Sequence, residues 1–271
     1  MYNPLKNYNN MLPLKNTRSL VIIISILSII NGLQGQNKND SLYTATETTL
    51  QTTTGSLYGT LTIPKEQSTM PVVLIIAGSG PTDRDGNSIL GVKTDSYKLL
   101  AEALANNGIA SLRYDKRGIA ASKDAMESEE DLVFETYIND AKAWISLLKA
   151  DKRFSKIIVL GHSEGSLIGM VAAQESGVDQ YISIAGIGRR IDFVLKEQLK
   201  GKLPTYLEEE SNKILENLTN GYEVSEVSKD LYALYRPSVQ PYMISWLKFN
   251  PVVEIQKLNI PILIIQGTTD I

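Results

Sequence analysis

Between residues 156 and 174 the chain reads KIIVLGHSEGSLIGMVAAQ, and few local folds satisfy that string. KIIVL has the look of a buried strand, and residues 166–174 form a helical pattern built from small residues. Strand, tight turn and helix must therefore meet at Ser163. Gly161 and Gly165 are required there, because a side chain at either would collide with the neighbouring strand or helix as the turn tightens. Ser163 is expected at the apex, with its hydroxyl exposed and its backbone strained. Gly169, Ala172 and Ala173 would let the helix lie close to the sheet. The bland alternative is a chance G-x-S-x-G on an ordinary β–α turn, and the strand–helix context weighs against it.

The rest of the chain repeats this alternation. Residues 41–62 are rich in Thr and Tyr with breaks at Gly55 and Gly59, the pattern of a β-hairpin or meander. Pro71 opens the apolar run VVLIIA, which stops at GSGPTDRDGN; such a run is a strand buried on both faces. Residues 97–107 have helical spacing at Leu99, Leu100, Ala103 and Leu104, closed by Asn107-Gly108. A strand at 109–114, an amphipathic helix at 134–150 and strands at 181–185 and 260–266 follow. Repeated β-α-β units imply a mostly parallel central sheet with helices on both faces, the α/β class. From 186 to 251 no sheet strand is plausible. That segment has helical patterns (Leu195, Leu199; Ile214, Leu215, Leu218), and Tyr232, Tyr235, Tyr242, Trp246 and Phe249 crowd its second half. A helical insertion of this kind is expected as a cap over the strands' C-terminal edge. Most of its aromatics should glue the helices together, with one or two lining a pocket. The expected division is a core from 36 to 185, a helical cap from 186 to 251, and a return to the core from 252 to 271.

Residues 1–35 read as an address. Lys6, Lys15 and Arg18 precede the uncharged run LVIIISILSII, and Asn31, Gly32, Gln34 and Gly35 follow it, the three parts of a secretory signal cleaved near Gly35. The run is short for a bilayer, which needs about 20 helical residues. A buried helix or an uncleaved anchor are the alternatives, and Met11 is a second possible start. The protein is thus expected to be secreted or periplasmic, without membrane association after cleavage. With 27 Lys+Arg against 30 Asp+Glu, the net charge of −3 argues against nucleic acid as a partner. No Cys excludes disulfides, thiol catalysis and zinc ribbons. A single His all but excludes a His-built metal site. No metal and no cofactor is expected.

A serine hydroxyl alone is a poor nucleophile; it needs an oxyanion site, a base and an orienting acid. The Glu164 N–H, at the start of the helix, is one natural oxyanion donor. The Ser79 N–H, in the loop AGSGPTDRD after an earlier central strand, is the candidate for the second, with Gly78 and Gly80 allowing the turn. Gly78-Ser79-Gly80 as a phosphate cradle is the rival. It is weakened because the third glycine of the dinucleotide pattern and the acidic residue after the next strand are both wanting.

Taken together, GSGPTDRDGN, RYDKRG (113–118), GHSEG, and RPSVQPYMISWLKFNP running to PILIIQGTTD resemble the serine-aminopeptidase-like (S33-type) esterase group of bacterial α/β-hydrolases. The likeness runs from about residue 44 to the end. It implies an α/β-hydrolase fold with a helical cap, here without the last strand and helices. It implies Ser163 as nucleophile, Asp270 in QGTTD as triad acid, and a small-molecule carboxylic ester with a short or medium acyl chain as substrate. Spacing agrees, since the acid in this fold follows the serine on the loop after a late strand. A turn Asp capping the next helix is the alternative for Asp270. Asp83, Asp85 and Asp115 come too early, and Arg84, Asp85, Asp115 and Arg117 read as one ion-pair cluster supporting the loops. Ala120 stands where the RYDKRGxGxS form has Gly, which implies a stiffer loop. His162, beside Ser163, should point to another side of the turn and pack instead of acting as the base. The triad His is therefore expected after residue 271, in a chain truncated at its C-terminus. An apolar strand left as the sheet edge would make the 271-residue product poorly soluble and nearly inactive. A serine peptidase, and a non-catalytic binding protein that kept the pocket, are the alternatives.

Overall fold

Seven strands form one sheet in the order β1-β2-β4-β3-β5-β6-β7 in the computed structural model, which describes residues 42–270. The signal assigned to residues 1–35 lies outside the described residues. The strands are β1 Tyr43–Gln51, β2 Ser56–Pro64, β3 Met70–Ile76, β4 Ala110–Tyr114, β5 Phe154–His162, β6 Gln180–Ile184 and β7 Ile262–Ile265. β1 and β2 are the expected hairpin, antiparallel from Tyr43↔Pro64 to Gln51↔Ser56, and β2 also runs antiparallel to β4. The pairings β4–β3, β3–β5, β5–β6 and β6–β7 are all parallel.

β3 shows why its sequence has no polar alternation. Side chains on a strand alternate between faces, and here both faces are covered. Val72, Leu74 and Ile76 enter the larger apolar core with helix α2 (Phe134–Ala150) and helix α3 (Glu164–Ala173). Val73, Ile75 and Ala77 pack on the other face with Tyr97 and Ala101 of helix α1 (Ser96–Asn106). α2 buries the stripe its spacing marks, from Phe134 through Tyr137, Ile138, Ala141, Trp144, Ile145 and Leu148. Each large side chain so buried stabilises the fold by roughly 1.5–3 kcal/mol.

Between β6 and β7 every described element is helical: α4 Ile191–Leu199, α5 Thr205–Thr219, α6 Tyr232–Tyr235, α7 Gln240–Leu247 and α8 Pro251–Ile255. This segment shares the core's interior. Leu215, Leu218, Tyr235 and Leu247 belong to the same apolar cluster as Leu74 and Trp144. Its aromatics act less as glue within the insertion than as a joint to α2. Phe134 stacks on Trp246 at 5.6 Å between ring centres and also meets Tyr242 and Phe249. The Phe134 N–H donates to Ser245 Oγ at 2.7 Å. At the far edge of the sheet, β7 leaves its four side chains, Ile262 to Ile265, 38–59% exposed. Among the described residues, no helix is long and apolar enough to cross a membrane.

Candidate active site

The backbone reverses at Ser163. β5 ends at His162, α3 begins at Glu164, and Ser163 between them has φ 52° and ψ −121°. A residue with a side chain held there costs about 1–3 kcal/mol, so the surroundings must enforce it. They do so by contact. A Cβ at Gly161 would lie 2.2 Å from the Gly165 carbonyl oxygen, and one at Gly165 would lie 2.4 Å from that of Ile76. The Ser163 N–H donates to Ile184 O of β6 at 3.0 Å, and the Ser163 carbonyl accepts from the Ser166 N–H at 3.0 Å. α3 follows the turn at once, two residues earlier than its apolar pattern suggests.

The loop after β3 lies against this turn. A Cβ at Gly78 would lie 3.2 Å from the Ser163 Cβ and 3.1 Å from His162 Nδ1, closer than side chains ordinarily pack, so glycine lets the loop approach without displacing either residue. Ser79, the next residue, is exposed, and Gly80 turns the chain with φ 78°. Tyr97 of α1 ties the two segments together. Its hydroxyl accepts from the Gly78 N–H at 3.2 Å and lies 2.8 Å from His162 Nδ1. Burial pushes the Tyr97 phenol up to about 12, partly opposed by the Gly78 N–H. Burial likewise lowers the His162 pKa, and the negative charge of Asp270 works against that shift. His162 thus packs beside the turn with its Nδ1 engaged by Tyr97. Asp270 lies on the loop after β7, exposed, with its carboxylate accepting from Gln266 Nε2 at 3.1 Å.

Three features went unread in the sequence. The first is the side chain of Glu164, which is buried and not simply the owner of a useful N–H. Its carboxylate accepts from Lys116 Nζ at 2.7 Å and from the Tyr242 hydroxyl at 2.7 Å. Charge balance between GHSEG and DKRG was the available signal. The second is a division of the supposed ion-pair cluster into separate pairs. Arg84 holds Asp115 (Nε–Oδ2 3.2 Å), Arg113 holds Asp85 at 2.8 Å, and Arg117 turns away to Asp140 of α2 at 2.7 Å. α2 offers Arg117 a bidentate carboxylate, Asp140. Burial raises the Asp115 and Asp140 carboxyls above the usual range, and their arginines oppose it.

The third is the conformation of Ala120, which has φ 45°. This is where the family form carries Gly, so the chain carries strain as well as stiffness at this position. Ala120→Gly is expected to stabilise the fold by about 1 kcal/mol, read as a higher urea midpoint with an unchanged slope.

Two surface hollows, of about 290 Å³ at Glu47, Tyr58 and Asp124 and about 420 Å³ at Asp83, Asn87 and Lys93, border neither Ser163 nor the insertion's aromatics. Among the described residues no cluster of His, Asp and Glu is placed to hold a metal ion.

Known proteins agree with this architecture. A family model described as serine aminopeptidase, S33, matches residues 90–233, somewhat over half the chain. Esterase EstD of Thermotoga maritima is 32% identical over 228 residues, covering 80% of this chain and 51% of the relative. The chain thus spans about half the length of that curated relative. Among solved structures, the α/β hydrolase GrgF from Penicillium sp. sh18 superposes with a TM-score of 0.56 at 19% identity, over 83% of this chain and 81% of its own. Est1E from Butyrivibrio proteoclasticus gives 0.53 at 17% identity, over 82% and 77%. A strained serine between β5 and α3, a glycine loop pressed against it and the matching family model converge: the chain belongs to the S33 serine aminopeptidase family and has the α/β-hydrolase fold.

Proposed function

We propose that the protein is a serine hydrolase of carboxylic esters. Ser163 Oγ attacks the ester carbonyl carbon while its proton passes to a base. The carbonyl oxygen, now an oxyanion, accepts from the Ser79 and Glu164 N–H groups. Collapse of the tetrahedral intermediate expels the alcohol, which takes the proton back from the base. Water then attacks the acyl-serine by the same route and releases the acid. The base is a histidine oriented by Asp270 and not among these 271 residues; the single imidazole present, His162, directly precedes Ser163 at the end of β5 and turns its Nδ1 to Tyr97. The observation that carries the reading is Ser163 at φ 52° with Gly78 pressed against its Cβ. The esterase relative supports an ester as substrate. Export through the N-terminal segment belongs to the same proposal.

The family's description as aminopeptidases supports a second reading, amide cleavage at a peptide N-terminus. Protein expressed from its whole reading frame is expected to turn over p-nitrophenyl butyrate at least about 100-fold faster than an aminoacyl p-nitroanilide, with both rates lost in Ser163→Ala. A faster anilide rate would replace the ester reading by the peptidase one. Turnover surviving Ser163→Ala would remove both.

A further inference from the structure

Lys116 and Glu164 are almost sealed from water, at 2% and 3% exposed. An ammonium and a carboxylate buried as a pair are commonly replaceable by apolar residues without loss of stability. The fold alone therefore gives little reason for this pair, and its contacts give another. Lys116 Nζ donates at 2.7 Å to the Gly78 carbonyl as well as to Glu164 Oε2, with the Tyr137 ring 4.8 Å away. The Gly78 C=O and the Ser79 N–H belong to one planar peptide unit. Across a trans peptide they point in opposite directions, so whatever holds the oxygen also aims the N–H. Lys116 thus sets the direction of one proposed oxyanion donor. Through the Glu164 side chain it also restrains the residue that owns the other. A carboxylate one residue from the nucleophile would repel a developing oxyanion, and Lys116 neutralises it at contact distance. The Tyr242 hydroxyl, reaching in from α7, holds the second oxygen at 2.7 Å.

Resting on the ester-hydrolase reading above, we propose that Lys116 is a positioning residue for the oxyanion site. It aims the Ser79 N–H through the Gly78 carbonyl and cancels the Glu164 charge, and Tyr242 extends this restraint to helix α7 of the insertion. Turnover then responds to how the insertion is seated, although no insertion residue need touch the reacting atoms.

The test uses protein from the whole reading frame and p-nitrophenyl butyrate. The double variant Lys116→Met/Glu164→Gln removes both charges, so it avoids an unpaired buried ion and should fold. Its kcat is expected to fall about 30-fold or more while KM moves less than about threefold, since losing a whole oxyanion donor costs about 100- to 1,000-fold. Affinity for a trifluoromethyl ketone, which occupies the oxyanion site as its hemiketal, should fall in parallel. Tyr242→Phe, which deletes one oxygen, should lower kcat about fivefold with KM unchanged. A purely structural ion pair predicts instead that the double variant recovers wild-type kcat and ketone affinity with its fold, and that result would overturn the positioning role. Unchanged kcat in Tyr242→Phe would overturn the link to α7. Absence of any Ser163-dependent turnover in the wild type would overturn the ester-hydrolase reading itself, a pattern distinct from a wild type that is active beside an unimpaired double variant.

Discussion

Gly165→Ala should cost about 3 kcal/mol or more of stability and remove hydrolytic turnover. The added methyl would sit 2.4 Å from the Ile76 carbonyl oxygen and 2.5 Å from that of Ala77. Both are backbone atoms at the exit of β3: Ile76 is its last residue, paired to Gly161 of β5, and Ala77 follows it. No rotamer change relieves the clash. Either α3 lifts from the sheet, which unseats Ser163, or β3 shifts and takes the Gly78 loop with it. Gly169→Ala is the control. There a methyl would meet Val159 Cγ1 at 2.8 Å and Ile76 Cδ1 at 3.2 Å, buried side-chain atoms and not backbone, so a smaller loss of about 1–2 kcal/mol is expected. Urea unfolding distinguishes the two. Equal, small losses would mean that the turn is looser than its contacts imply.

Lys116→Met alone is expected to cost about 3–5 kcal/mol, because it leaves the Glu164 carboxylate buried without its cation. Adding Glu164→Gln should recover most of that loss, since a neutral amide can keep the bond from Tyr242. The two melting curves check this directly. A double variant no more stable than Lys116→Met would mean that the methylene stem of Lys116, not its charge, supports the site. Stability and catalysis should therefore separate in this pair, with the fold rescued and the oxyanion frame not.

What could be read from the chain was what is local. The run VVLIIA announces a strand covered on both faces because period-two alternation fails there. The glycines at 161 and 165 announce a close approach because nothing larger fits between β5, α3 and β3. The hairpin and the stripe on α2 are legible for the same reason, since each is written in spacings of a few residues. The turn itself moved one boundary. α3 starts at Glu164, not 166, because Ser163 at positive φ serves as the helix N-cap. The unread parts pair residues far apart in sequence. Lys116 meets Glu164 across 48 positions, Glu164 meets Tyr242 across 78, and Arg117 finds Asp140 across 23. Nothing within a short window ranks one carboxylate over another as a partner. The joint between Phe134 and the aromatics of α7 is hidden likewise, since a Tyr and a Trp four positions apart, Tyr242 and Trp246, fit many neighbours equally well.

Ser163 as nucleophile can be read out by covalent labelling. Protein from the whole reading frame is treated with a fluorophosphonate, digested and analysed by mass spectrometry. One phosphonylated peptide is expected, containing GHSEG with the adduct on Ser163, and no labelling in Ser163→Ala. An adduct on another serine, or labelling that persists in the variant, would rule Ser163 out.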